Sequence, residues 1–188
     1  MPPEAAPGVV RTITLATADD TRALGAGLGR LLRAGDLLVM TGDLGAGKTT
    51  LTRGVGEGLG VRGPVTSPTF VIARVHPTEV GGPALVHVDA YRLGGRLELD
   101  DLDLDASLEQ SVTVVEWGHG VAEPLSDDRI EVVLQVHAAH STHDPLDSAD
   151  AGDDESRTAS ITTVGARWAT PSAVAALDAL VLRPGSPG

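Results

Sequence analysis

The 188-residue chain contains no cysteine, no asparagine, and one lysine against thirteen arginines. Without cysteine, disulfides and thiolate-held metals are excluded. Met1-Pro2-Pro3-Glu4 has neither the basic stretch nor the apolar run of a signal peptide. No uncharged apolar run approaches a membrane span. The expectation is a soluble cytoplasmic protein, a single domain over 1–188 with a core large enough to need no staples. Positive charge is scarce overall: net charge is −12, and residues 71–188 hold twenty acids against seven arginines. A chain this acidic is a poor candidate to bind nucleic acid alone, because phosphate contacts need a basic face. High Gly, Ala and Arg with one Lys also reads as drift from a GC-rich genome.

The lysine that survives is Lys48, in Gly42-Asp43-Leu44-Gly45-Ala46-Gly47-Lys48-Thr49, followed by Thr50. That octamer is a full match to the G-x-x-x-x-G-K-[ST] phosphate loop. Its glycines let successive amide N–H groups approach phosphate oxygens, and a helix starting near Lys48 adds its positive dipole end. In such a loop the lysine reaches the β/γ-phosphates and the hydroxyl of Thr49 ligates Mg²⁺. The surroundings fit. Leu37–Met40 is a continuous apolar run, as in a strand buried on both faces, and Lys48 to about Leu59 reads as a helix.

Elsewhere, Val9–Leu15 alternates as a strand does, and Leu24, Leu28, Leu31 and Leu32 mark an amphipathic helix from about Asp19 to Arg33. Thr17 to Asp20 offers N-caps for that helix, and Gly35 a stop. Thr66-Ser67-Pro68-Thr69-Phe70 reads as an ordered turn entering a strand at Val71-Ile72-Ala73. Two further buried-strand runs, Ala84–Asp89 and Val112–Glu116, end in carboxylates. Leu97–Gln110 reads as one acidic helix, while Arg129–Val136 and Thr158–Val164 read as strands. Residues 138–156 read as an acidic flexible insertion, Ala173–Leu182 as a closing helix, and 183–188 as a tail.

A Mg²⁺-dependent nucleotide hydrolase needs another carboxylate at a neighbouring strand end. Asp89 and Glu116 are the candidates, and spacing does not say which one binds metal. His87 shares a strand face with Asp89 and is expected to pack or hydrogen-bond near the phosphate site. His137, His140 and His143 read as surface residues. Guanine-reading GTPases use an Asn-Lys-x-Asp motif, which a chain without asparagine cannot contain, so ATP is favoured.

Four ordered blocks together resemble one family: 42–54 with Leu59-Gly60; Val65–Phe70; His87-Val88-Asp89-Ala90-Tyr91-Arg92-Leu93; and Val115-Glu116-Trp117. The chain resembles the TsaE (YjeE) family, bacterial ATPases of tRNA threonylcarbamoyladenosine formation, from about Thr21 to Leu134. The only Phe and the only Tyr fall inside these blocks. The fold then expected is α/β, a three-layer P-loop NTPase with a mostly parallel central sheet and some antiparallel strands. The resemblance implies ATP on residues 42–50, with Mg²⁺ held by Thr49 and Glu116. It makes Asp89 a catalytic acid or a support for the metal site. Thr66–Phe70 resembles a segment responding to the γ-phosphate, and Trp117 a neighbour important to activity. It also implies an ATPase weak alone, acting with a TsaB–TsaD transferase complex, with tRNA met only through that complex and hydrolysis serving as a reset step. The segment 94–103 departs from the family pattern, which bears on a partner-facing surface. A phosphate-loop small-molecule kinase and a non-hydrolysing nucleotide-binding regulator remain the alternatives.

Overall fold

A computed structural model describes residues 9–93, 98–99, 105–137 and 156–182. The expected insertion as far as residue 155, the tail, and most of the acidic stretch after Leu93 therefore lie outside the described residues, while Ser156 already belongs to a strand. Seven strands form one sheet: β1 (Val10–Leu15), β2 (Leu37–Thr41), β3 (Ala73–His76), β4 (Ala84–Asp89), β5 (Ser111–Glu116), β6 (Arg129–His137) and β7 (Ser156–Val164). Their order is β1-β7-β6-β2-β5-β4-β3. The four strands β6, β2, β5 and β4 run parallel, while β1, β7 and β3 are antiparallel to their neighbours. This is the α/β sheet expected, and β2 sits between two parallel partners reached from opposite directions. At such a switch point the strand C-termini open onto a crevice.

Alternate residues of the parallel strands feed two cores. Leu38, Met40, Leu85, Val112 and Val114 pack beneath the helices α1 (Ala18–Leu31), α2 (Lys48–Leu59) and, through Leu177, α4 (Pro171–Val181). Leu37, Val39, Val86, Val88 and Val115 face the other way, against Leu99 and Ala122. A short helix α3 (Asp105–Leu108) precedes β5. Among the described residues no helix is long and apolar enough to cross a membrane.

Thr17 caps α1 in a reciprocal box. Its hydroxyl accepts from Asp20 N at 3.1 Å, and Asp20 Oδ2 accepts from Thr17 N at 3.0 Å. The helix ends at Leu31, capped by Leu32, so Gly35 is not its stop. Instead Gly35, at φ 92°, turns the chain into β2. Helices α1 and α2 cross with backbones touching. A Cβ on Gly54 would stand 2.0 Å from the Arg22 carbonyl oxygen, and one on Gly25 would stand 2.1 Å from that of Leu51. Only glycine allows that approach.

One strand starts later than the sequence suggests. Val71 and Ile72 are outside β3 because Ile72 takes φ 67°, a left-handed conformation that a ladder position does not use. Its carbonyl still accepts from Asp89 N at 2.8 Å. Of the stretch read as one acidic helix, residues 98–99 and α3 are helical, Glu109 and Gln110 form a turn closed by Gln110 N donating to the Ser107 carbonyl at 3.1 Å, and the rest is outside the described residues.

Candidate functional site

The phosphate-loop octamer leaves β2 at Thr41 and enters α2 at Lys48, the strand–loop–helix order its chemistry demands. Gly42, Gly45 and Gly47 have φ of 152, 83 and 102°. Gly47 is the N-cap of α2 in left-handed geometry, which turns the first free amides of the helix toward the loop's concave side. Helix α2 has no acidic residue in its first turn to quench that positive end.

Lys48 is buried. Its Nζ donates to the carbonyls of Gly42 at 2.6 Å and Asp43 at 2.9 Å, and lies 3.7 Å from the ring centroid of Trp117. Burial lowers the pKa of this ammonium from its ordinary value, opposed by the carboxylates of Glu116, Asp89 and Asp43. The lysine is thus held inside the loop by exchangeable dipoles and a ring face, with no direct ion pair among the described residues.

Parallel pairing in register sets Asp89 of β4 directly beside Glu116 of β5, and both side chains are buried. Their contacts differ. The Thr49 hydroxyl lies 3.0 and 3.1 Å from the two oxygens of Glu116, and His87 Nε2 lies 2.7 Å from Oε1. Asp89 instead accepts from the Thr69 hydroxyl at 2.6 Å and from Tyr91 N at 3.0 Å, capping the 3-10 turn Ala90–Arg92. Ser67 and Thr69 hydroxyls are 2.6 Å apart. So Asp89 is tied to the Thr66–Phe70 segment, and Glu116 to the phosphate loop. His87 meets its expectation of a hydrogen bond beside the loop.

A pocket of about 250 Å³ gathers Gly45, Lys48, Thr49, Asp89, Glu116 and Trp117, with Ser67 and Thr69 on its far wall. Of the expected site residues, Leu44, Gly45, Gly47, Lys48, Thr49, Thr50, Asp89 and Glu116 line it, whereas Gly42, Asp43 and Ala46 do not. Leu44 is exposed and lines the pocket, and Phe70 and Tyr91 are exposed nearby in sequence to the segments that line it. Tyr91 and Trp117 rings lie 5.0 Å apart.

Do these residues fit a divalent cation? Neighbouring ligands of an octahedral Mg²⁺ with oxygens at 2.0–2.1 Å lie about 2.9 Å apart, close to the 3.0–3.1 Å between Thr49 Oγ1 and the Glu116 oxygens. The donor set is hard oxygen. Among the described residues no cluster of three or more His, Cys, Asp or Glu exists to cage a metal alone. One carboxylate and one hydroxyl is the protein share of a Mg²⁺ site completed by phosphates and water. The residues fit.

Several features here carry no sequence signature. Trp117 takes φ 61°, one of two non-glycine residues in left-handed geometry among the described residues, and its ring lies over Lys48. Such strained backbone clusters at working sites. Arg157 of β7 approaches the loop from outside, with Nε 3.6 Å from where a Cβ on Gly47 would stand. It lies more than a hundred residues from the motif, and only the β1–β7–β6 pairing brings it there. His137 is exposed, as expected, with Nε2 2.6 Å from the Thr158 hydroxyl.

Comparison with known proteins converges on one family. The family model "Threonylcarbamoyl adenosine biosynthesis protein TsaE" matches residues 15–143. Over 150 residues the chain is 60% identical to the tRNA threonylcarbamoyladenosine biosynthesis protein TsaE of Streptomyces coelicolor, covering 79% of this chain and 94% of that one. Its counterpart in Bacillus subtilis is 38% identical over 151 residues, 80% of this chain and 84% of that one. Among solved structures, the crystal structure of Bacillus subtilis YdiB superposes with a TM-score of 0.66 at 27% identity, covering 92% of this chain and 95% of that one.

Proposed function

The chain belongs to the TsaE family, and from that premise we propose that it is a Mg²⁺-dependent ATPase of tRNA threonylcarbamoyladenosine biosynthesis, working with a TsaB–TsaD transferase complex. The observation that carries this reading is the convergence of Lys48, Thr49, Asp89 and Glu116 on one pocket at the C-terminal edge of the parallel strands. Fold alone would not identify a function. The site supplies the argument.

Residues 42–50 cradle the phosphates through backbone amides and the positive end of α2. Lys48 exchanges its two carbonyl partners for phosphate oxygens, and the arriving negative charge reverses the lowering that burial imposes on it. Thr49 and Glu116 would hold Mg²⁺, which would supply positive charge against that developing on the transferring phosphate. Asp89 orients the attacking water, and its bond to Thr69 links that position to the Thr66–Phe70 segment. An acidic chain of net charge −12 leaves tRNA contact to its partners.

The test is phosphate release from ATP by the purified chain, alone and with the TsaB–TsaD pair. Stimulation by the pair, with loss of about 10²–10³-fold in Lys48→Ala, is expected. Transfer of phosphate to a metabolite would favour a kinase instead, and tight binding without turnover under either condition a regulator. Glu116→Ala should weaken Mg²⁺-dependent ATP binding more than Asp89→Ala does. Equal Mg²⁺ titrations for the two would reject the division of roles between these acids.

A further inference from the structure

We infer that His87 is a positioning residue for the metal site, holding Glu116 Oε1 so that the carboxylate presents Oε2 to the cation; this rests on the reading of Glu116 as a Mg²⁺ ligand. His87 is wholly buried in β4, between neighbours Leu85, Val86 and Val88 that are all buried and apolar. Only packing would be served as well by leucine or phenylalanine, and without a cost that the histidine incurs. Its Nδ1 has no hydrogen-bond partner among the described residues, a cost for so deeply buried a nitrogen. The return on that cost is one contact, Nε2 to Glu116 Oε1 at 2.7 Å. A carboxylate only accepts, so the hydrogen of this contact resides on Nε2.

The partners of Glu116 divide unevenly between its two oxygens. Oε1 faces His87 at 2.7 Å and Thr49 at 3.0 Å, whereas Oε2 faces the Thr49 hydroxyl at 3.1 Å. Once the Thr49 oxygen turns to a cation, its hydrogen no longer points at the carboxylate. Thr52 does not replace it: its hydroxyl bonds the Lys48 carbonyl at 3.0 Å and reaches Oε1 only at 3.5 Å. His87 is then the fixed donor that keeps the carboxylate from rotating. Strand register makes this possible, because Asp89 pairs with Glu116, and His87 two residues earlier shares their face. Outer partners of this kind typically change metal affinity by about 10–100-fold when removed.

The experiment measures ATP affinity of the full chain by calorimetry, first in EDTA and then across a Mg²⁺ titration. For His87→Phe, affinity in EDTA should stay within about twofold of the parent, while half-saturating Mg²⁺ rises by about 10-fold or more. His87→Gln, whose amide nitrogen can donate from a similar place, should return to within about threefold. An unchanged Mg²⁺ requirement in His87→Phe, beside a shifted one in Glu116→Ala, overturns the inference while leaving the proposed function standing. Equal losses with and without Mg²⁺ would also overturn it, by making His87 merely structural. A parent chain that binds no ATP would sink both. Should His87→Phe fail to fold, long-range nitrogen NMR of the unaltered chain decides: a hydrogen on Nε2 with Mg²⁺ and ATP is expected, and an Nε2 without one would overturn the idea.

Discussion

Two buried carboxylates stand at opposite ends of the same sheet, and they are satisfied in different ways. Asp36, immediately before β2, receives the fork of Arg167: Nε to Oδ1 at 2.6 Å and Nη2 to Oδ2 at 2.7 Å. The amide of Arg33 adds a third donor at 2.7 Å, and Arg167 also donates to the Leu31 carbonyl and stacks 4.1 Å over Trp168. Glu116, at the far end of β5, is as deeply buried but has a hydroxyl and an imidazole where Asp36 has a guanidinium. A bidentate guanidinium fixes both geometry and charge, and leaves nothing for a ligand to improve. Partners that do not clamp both oxygens as a guanidinium does leave a buried carboxylate open to a cation. Burial of an acid therefore does not mark a site. The kind of partner does.

The largest expected effect strikes the locked end. Asp36→Ala strands Arg167 in a partly buried place and should cost about 3 kcal/mol or more in denaturant unfolding, with ATP binding per folded molecule unchanged. Glu116→Gln, in contrast, should alter stability by less than about 1 kcal/mol, since an amide can keep the neighbouring hydrogen bonds. Its loss should appear in Mg²⁺-dependent binding. Stability losses of equal size in the two variants would erase the distinction between locked and open carboxylates.

A smaller effect sharpens the same contrast. Stiffness beside the open end comes from the α1–α2 crossing, where Gly54 meets the Arg22 carbonyl with no room for a methyl group. Gly54→Ala should cost about 2 kcal/mol through forced separation of the helices, again with little change in ATP affinity of the folded fraction. A selective fall in affinity would mean that the crossing tunes the phosphate loop.

Smallest is a pH effect at His76, whose ring centroid lies 6.4 Å from that of His87. Burial first, then His87 and Arg74, lower its pKa from 6.5. Between that lowered value and 6.5 the unfolded chain binds more protons than the folded one, so stability rises with pH through this window and falls on acidification. Urea midpoints at pH 5 and 7 should show a shallower dependence in His76→Phe than in the parent. An identical slope would remove His76 from the account.

Much of the architecture was legible in the linear pattern. The runs at Leu37–Met40, Ala84–Asp89 and Val112–Glu116 read as buried strands because a parallel strand is apolar on both faces, and each became one. The phosphate loop was readable because its chemistry is contiguous, so Lys48 and Thr49 needed no partner from elsewhere to be recognised. Ile72 was misread since apolarity and β-branching say nothing of a φ imposed by neighbouring contacts. Asp36–Arg167 was invisible, joining residues 131 apart through side chains that look like ordinary surface charges. The need for glycine at positions 25 and 54 was equally invisible, because it is set by the backbone of the partner helix.

Composition and motif alone determined that the chain carries a phosphate loop with one lysine and no asparagine, and that Asp89 and Glu116 close strands beside it. Those facts are local, set by residue type and short spacing. Tertiary structure decided which acid meets the loop: register pairs Asp89 with Glu116, yet places Thr49 and His87 on Glu116 and Thr69 on Asp89. It decided equally that Asp36 is locked and Glu116 open. Such distinctions depend on distances across the sheet, where a few ångströms separate a satisfied charge from an available one, and no spacing along the chain encodes them.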